Sequence, residues 1–323
     1  MTDTVLVTGA SGFIGSHTAA ALHAADRVVT GVDLLAPRSP VAWEWLRCSA
    51  DDRAVLARIR AGEFGAVVHN AAITDTLAAD DSRLHRTNQT MPLRIARACE
   101  VSGTRLVYAS SGSVYGVVPQ GHYSVETDRP GPLNPYARSK LAMEHELARR
   151  AAVFGLNCVG LRYTNVFGPG EDTKGPMASI LSQILTAAAT GRPVRLFDDS
   201  LTAARDYLPV QVLTDTVIGL LGVPHVTGIY NLGSGIPVRF EMLLGWCTEW
   251  AAQPIAMESI SNPVRDRYQY WTCADMQALR TALPGLEPVT MSLIRAYAHD
   301  LYERARADSP AATAPVLAPA TGG

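Results

Sequence analysis

Lysine is almost missing from this chain of 323 residues: of its 28 basic residues only Lys140 and Lys174 are lysine, and the rest are arginine. A chain that writes positive charge as arginine keeps lysine where guanidinium cannot substitute, because an ammonium on a flexible stem has a tunable pKa and guanidinium stays charged. Surplus charge is missing too. The 28 basic residues face 30 acidic ones, a net charge of −2, which argues against a nucleic-acid-binding surface. No apolar run reaches the roughly 18–20 residues of a membrane span. The N-terminus opens directly into the strand-like run Val5-Leu6-Val7 rather than a signal peptide. Cysteine is sparse: Cys48, Cys99, Cys158, Cys247 and Cys273 are odd in number and far apart, with no CxxC or Cys/His ligand spacing. Neither a disulfide framework nor a metal site is indicated. What is present is apolar: 47% hydrophobic against 18% charged residues, enough for a large core. The expectation is a globular, cytoplasmic α/β protein.

The first half alternates strand and helix patterns. Apolar runs at 5–8, 28–32, 66–69, 104–109 and 157–162 read as strands, with helical patterns from the first turn to about residue 25, at 84–101 and at 135–154. Continuous apolar strands alternating with helices imply right-handed βαβ units and a doubly wound parallel sheet. The second half is less regular. Helices are expected at 176–190, 210–221, 240–251 and 293–306, and strands at 194–197, 206–209 and 229–232. The expected division is a doubly wound domain over 1–167 with later chain crossing back, which the glycine turn at residues 9–15 marks as dinucleotide-binding, a mainly substrate-binding lobe over 168–307, and a disordered tail over 308–323, rich in Ala, Pro, Thr and Gly.

The first strand runs into Gly9-x-x-Gly12-x-x-Gly15 and a helix. The first glycine permits the tight turn, the second lets backbone approach a pyrophosphate, and the third lets the helix pack close to the sheet. The helix N-terminus offers free N–H groups to phosphates. Asp33 ends the second strand, where a carboxylate accepts ribose hydroxyls and favours NAD; Arg38, a few residues on, suits the 2′-phosphate of NADP.

Tyr136-Ala-Arg-Ser-Lys140 opens the helix at 135–154, and a spacing of four puts both side chains on one face. A nearby ammonium stabilises a phenolate and lowers the tyrosine pKa from about 10. Tyr108-Ala-Ser110-Ser111-Gly-Ser113-Val-Tyr115-Gly116 follows the strand at 104–109, placing a hydroxyl at a strand's C-terminal end, where open α/β sheets carry their chemistry.

TGASGFIG (8–15), HNAA (69–72), YASSGSVYG (108–116), YARSK (136–140) and LRYTNVFGPG (161–170) together resemble the extended short-chain dehydrogenases/reductases, the NAD-dependent epimerase/dehydratase family. The resemblance implies a Rossmann-type doubly wound parallel sheet with a smaller, mixed C-terminal substrate lobe. It implies Ser111, Tyr136 and Lys140 as the catalytic set. Around tightly bound NAD or NADP, NAD favoured, it implies Ser11, Phe13, Ile14, Asn70, Ala71, Ala72, Val166, Tyr136 and Lys140 beside the glycines, Asp33 and Arg38. The family often has Asp at Cys48 and Asn at Thr87, so Thr87 and the neighbouring Asn88 stand where adenine and ribose contacts are expected. Self-association into a homo-oligomer is a further implication.

The second half resembles the ADP-heptose 6-epimerase branch of that family, on Lys174-Gly-Pro-Met-Ala-Ser179, Leu196-Phe-Asp-Asp-Ser200, Arg205-Asp206-Tyr207 and Arg267-Tyr268-Gln269-x-x-Thr272-x-Ala274-Asp275. The branch has a lysine at the Lys174 position as a second acid/base. Asn165, Phe197, Ser200, Arg205 and Tyr268 match its nucleotide-sugar contacts, and Arg205 offers a bidentate fork to a diphosphate. Pro176 and Gln183 replace a Ser and a His of the branch. The expected reaction is 6-epimerisation of an ADP-heptose through a keto intermediate. The alternatives are a 4-epimerase of a UDP- or dTDP-hexose using the same residues, or a dinucleotide-sensing protein without turnover. A dehydratase is disfavoured because Gly112 and Ser113, not an Asp-Glu pair, follow Ser111. His17, His23, His85 and His145 read as helix-surface residues, Trp43 and Trp45 as packing, Trp246, Trp250 and Trp271 as core of the second lobe, and Cys158 as core.

Overall fold

The computed structural model describes residues 3–75 and 81–309. The tail expected to be disordered therefore lies, from residue 310 onward, outside the described residues.

The chain runs β1 (Thr4–Thr8), α1 (Phe13–Ala24), β2 (Val28–Asp33), β3 (Glu44–Arg47), α2 (Arg53–Arg60), β4 (Ala66–His69), a short α3 (Asp81–Leu84) continuing as a π-helical turn (His85–Thr90), α4 (Met91–Ser102), β5 (Arg105–Ser111), α5 (Pro135–Phe154) and β6 (Cys158–Tyr163). The remainder is β7 (Asn165–Phe167), a 3-10 stretch (Glu171–Met177), α6 (Ile180–Ala189), β8 (Val194–Phe197), β9 (Ala204–Pro209), α7 (Val210–Gly222), β10 (Gly228–Leu232), β11 (Pro237–Arg239), α8 (Phe240–Ala251), β12 (Met257–Ile260), α9 (Gln277–Ala282) and α10 (Met291–Ala307).

Seven strands form one sheet in the order β10-β6-β5-β4-β1-β2-β3, parallel throughout. Strand alternation divides its apolar side chains between two faces. Val5, Val7 and Val68 pack with Ala19 and Leu22 of α1 and Leu213 and Val217 of α7, whereas Leu6, Val67 and Leu106 pack with Ile59 of α2, Ile95 of α4 and Met143 of α5. Sandwiched between helices, the strands are apolar on both sides, which is why they read as continuous runs. Strand order reverses at β1, flanked by β2 and β4, and the crevice at the strands' C-terminal ends there is where such sheets bind ligands.

Chain beyond residue 168 returns to this sheet as α7 and β10. The rest builds a three-stranded sheet, β11-β9-β7, and a two-stranded one, β12-β8. The helix expected at 176–190 is broken: Gly175 has φ 55° and ψ −125°, Pro176 follows, and Ser179 caps a shorter α6 by accepting from the Ser182 N–H. The helix expected at 84–101 begins with the π-helical turn, where Pro92 has no N–H to give to the Asn88 carbonyl. Among the described residues no helix is long and apolar enough to cross a membrane.

Candidate active site

The β1–α1 turn is shaped by close approach. Gly9 has φ +69°, and a Cβ there would lie 2.7 Å from the Ala71 nitrogen; one on Gly15 would lie 2.0 Å from the Gly9 carbonyl oxygen. Gly12, the N-cap residue of α1, brings no capping side chain, so the first-turn N–H groups are left for a ligand. Asp33 accepts from the backbone N–H groups of Ser11 and Leu35, both at 3.0 Å, which holds its carboxylate at the mouth of the turn. The Ser11 hydroxyl donates to the Leu35 and Ala36 carbonyls and ties the turn to the loop after β2.

A cleft of about 490 Å³ starts here, lined by Gly9, Gly12, Phe13, Ile14, Gly15, Asp33, Arg38, Cys48, Asn70, Ala71, Ala72, Thr87 and Lys174. A second cavity of about 200 Å³ shares Ile14, Asn70, Ala72 and Lys174 with it and adds Ser111, Tyr136, Lys140, Tyr163, Asn165 and Val166. Both polar atoms of the Asn70 amide are buried without a partner among the described residues. A glycine cradle flanked by a ribose-type carboxylate at the end of β2 and an orphaned amide just after β4 fits a dinucleotide lying along these two cavities.

Asn88 is placed differently from the expectation. It is 1% exposed, accepts from the Ile73 N–H and donates to the Ile73 carbonyl and the Ser139 hydroxyl. Its amide is spent on pinning the segment after β4 to α5, and Thr87 alone of the pair lines the cleft.

The second cavity gathers the chemistry. Asn134 caps α5 by accepting from the Ala137 N–H, with Pro135 at the first helical position, and this fixes Tyr136 at the strand ends. Tyr136 is hydrogen-bonded to Ser111, the last residue of β5; burial pushes the phenol up and the Ser111 bond pulls it back. Lys140, one turn on, is 3% exposed. Its ammonium donates to the Ala109 carbonyl at 2.8 Å and lies 6.0 Å from the Tyr136 ring centroid. Burial pulls this lysine down to about 8, against the opposing effect of Glu144. With its phenol raised, Tyr136 holds its proton at neutral pH, and forming the phenolate depends on positive charge beside it.

Lys174 sits on the 3-10 stretch with Nζ 3.3 Å from Glu171 Oε1 and 4.8 Å from the Phe13 ring centroid. The structure thus brings the two lysines of the chain to one cavity. Beyond it a third cavity, of about 220 Å³, shares Ser111, Tyr136, Tyr163, Thr164 and Asn165 and extends to Ser113, Gln269, Thr272 and Cys273.

The remaining substrate-side residues form a stack. The rings of Phe197 and Tyr268 meet edge to face at 5.4 Å, and the Arg205 guanidinium lies 5.1 Å from the Tyr268 ring centroid. Arg205 is 9% exposed and gives one hydrogen bond to the Ala204 carbonyl. Ser200 is 1% exposed and its hydroxyl donates to the Phe197 carbonyl, so it braces the turn after β8 instead of presenting a free hydroxyl. The Asn165 amide donates to the Asp206 carbonyl.

The profile of the NAD dependent epimerase/dehydratase family matches residues 5–233. The chain belongs to this family. Curated relatives include the ADP-L-glycero-D-manno-heptose-6-epimerase of Alkalilimnicola ehrlichii, 34% identical over 297 residues, 86% of this chain and 91% of the relative. The same-named protein of Cupriavidus pinatubonensis is 31% identical over 310 residues, 86% of this chain and 92% of the relative. Among solved structures, the UDP-glucose 4-epimerase of Thermus thermophilus in complex with NAD superposes with a TM-score of 0.81 at 29% identity, covering 93% of this chain and 99% of that one.

Several residues of this epimerase-family site escaped the sequence reading. Glu171 is 1% exposed and accepts from the Ser179 N–H, the Ser179 and Ser182 hydroxyls and Lys174; nothing local marks it as a hub. The Ser113 and Tyr163 hydroxyls are buried without a partner among the described residues, and both residues line the third cavity. Glu144 could have been found, because it repeats the spacing of four that joins Tyr136 to Lys140.

Proposed function

We propose that this enzyme epimerises C6 of an ADP-linked heptose. The observation that carries the reading is the shared cavity of Tyr136 and Lys174, which offers two proton-transfer groups to one substrate carbon. The two heptose-epimerase relatives, matched over 86% of this chain, support the sugar. NAD, when bound, supplies reversible oxidation of the carbinol. One of Tyr136 and Lys174 takes the hydroxyl proton as the carbinol becomes a ketone, and the other gives a proton to the oxygen once the ketone has turned its other face. Ser111 holds the reacting oxygen beside Tyr136, and Lys140 supplies the positive potential that makes the phenolate accessible. The Ser113 and Tyr163 hydroxyls, without a partner among the described residues, suit the hydroxyl-rich tail of a heptose.

Asp33 at the mouth of the turn supports NAD over NADP. We further infer that the cofactor is tightly held and the enzyme cytoplasmic and self-associating. Titration with both dinucleotides and light scattering test the first and last of these.

Incubation with ADP-heptose, with C6 stereochemistry followed by NMR, tests the central reading: equilibration of the two epimers is expected, and no conversion with cofactor bound contradicts it. The likeness to the Thermus thermophilus enzyme favours a second reading, 4-epimerisation of a nucleotide hexose. Thermal-shift comparison of ADP-, UDP- and dTDP-sugars separates the two.

A further inference from the structure

A buried polar cluster lies beneath Ser111 and Lys140. Glu144 follows Lys140 by one turn, so Tyr136, Lys140 and Glu144 occupy one face of α5. Its carboxylate receives Arg162 of β6 through Nε at 3.1 Å and Nη2 at 2.8 Å, and also the hydroxyl of Ser110, the residue before Ser111. Arg162 continues to the Tyr115 hydroxyl at 2.9 Å and the Glu126 carbonyl at 3.2 Å; Tyr115 in turn donates to Asn231 of β10 at 2.6 Å. Ser110, Tyr115, Glu144, Arg162 and Asn231 are all buried. Two strands and the catalytic helix are therefore joined through one carboxylate.

We propose that Glu144 is a positioning residue of the proton-transfer machinery: one turn beyond Lys140 on the same face of α5, its carboxylate is clamped by Arg162, and its bond to Ser110 sets Ser111 against Tyr136. This rests on the reading of Tyr136 and Lys140 as the proton-handling pair.

Among the described residues named below, the surroundings of Lys140 leave Glu144 as the group placed to hold it as an ammonium. From β4, His69 is neutral, since burial holds it down to about 3. From β5 come the Ala109 carbonyl and the uncharged Ser110 and Ser111. From β6 come Arg162, already taken by Glu144, and Tyr163, whose phenol burial pushes up. From α5 come Tyr136 and Glu144 itself. Across the cavity, Glu171 is engaged with Lys174. Burial works against the Lys140 ammonium and Glu144 works for it.

The test uses the scarcity of lysine. Labelling with ¹³C-lysine gives the two side chains, Lys140 and Lys174, as separate NMR titrations, the second an internal control. In the full-length protein without substrate, Glu144→Gln should lower the Lys140 midpoint by about one pH unit and leave Lys174 in place. The alkaline limb of the kcat profile should move toward neutrality by the same amount. Arg162→Gln should move the Lys140 midpoint the opposite way, because the freed carboxylate then faces Lys140 alone. Glu144→Asp keeps the charge but shortens the reach to Ser110, so kcat should fall with the pH profile unmoved. Where a single variant does not fold, Glu144→Gln/Arg162→Gln removes both members of the buried ion pair and, with the carboxylate gone, Lys140 should still titrate below wild type. A Lys140 midpoint unmoved by Glu144→Gln, or unmoved in the double variant, overturns the proposal. Because the titration is read without substrate, failure of the heptose reading would not change it.

Discussion

The walls that carry Lys140 and Lys174 are built in opposite ways. Lys140 stands on a 20-residue helix packed on the parallel sheet, 3% exposed, its ammonium on a backbone carbonyl. The Lys174 side chain is 28% exposed, on a 3-10 stretch between left-handed Gly170 and Gly175, paired with the buried Glu171. The first wall sets its chemistry by desolvation, with Glu144 limiting how far the lysine falls. The second sets position by an ion pair on a segment whose glycines let the backbone turn. An acid/base group that must reach a substrate suits the second arrangement, and a fixed electrostatic group suits the first.

The largest effect is expected on the first wall. Tyr136→Phe should cost about 10²–10⁴-fold in rate with dinucleotide binding intact, checked by steady-state kinetics beside calorimetric titration. Loss of cofactor binding as well would make Tyr136 part of the floor instead. The floor shared by both walls is probed by Gly15→Ala, whose methyl group would overlap the Gly9 carbonyl. Overpacking there should destabilise by about 1–3 kcal/mol and weaken the dinucleotide, read from a denaturation curve and a titration. Glu171→Gln loosens only the second wall: rate should fall by about 10–100-fold through misplaced Lys174. A Lys140 titration unchanged in that variant would show that the walls are independent. The smallest effect belongs to Tyr163→Phe. Its hydroxyl has no partner among the described residues, so the free protein should lose no stability in thermal melts, while KM rises by a few-fold to tenfold, about 0.5–1.5 kcal/mol. Reduced stability with unchanged KM would remove Tyr163 from the substrate pocket.

The same contrast explains what could be read from sequence. The first wall was legible because its strands are continuous apolar runs, its glycines are forced by close approach, and Tyr136 and Lys140 share a helical period. β7 and β11 have three residues each and β12 is largely exposed, too little pattern for a strand to declare itself. The helix expected at 176–190 is too long at its start because the apolar pattern runs back through Ala178 and Met177, whereas the backbone breaks at Gly175 and Pro176 and α6 begins only after Ser179. Ser200 and Asn88 carry polar side chains in suggestive places, yet backbone groups consume them. Glu171 became visible only through partners up to 11 residues away in the chain.

The most direct measurement of the two-wall account is the rate of Lys174→Arg with ADP-heptose. Guanidinium preserves the charge facing Glu171 and cannot give up its proton. If Lys174 is the second acid/base, the arginine variant should bind cofactor normally and lose about 10²–10⁴-fold in C6 epimerisation, as Lys174→Met should. Wild-type turnover in Lys174→Arg would show that this wall supplies charge alone, and would contradict the mechanism.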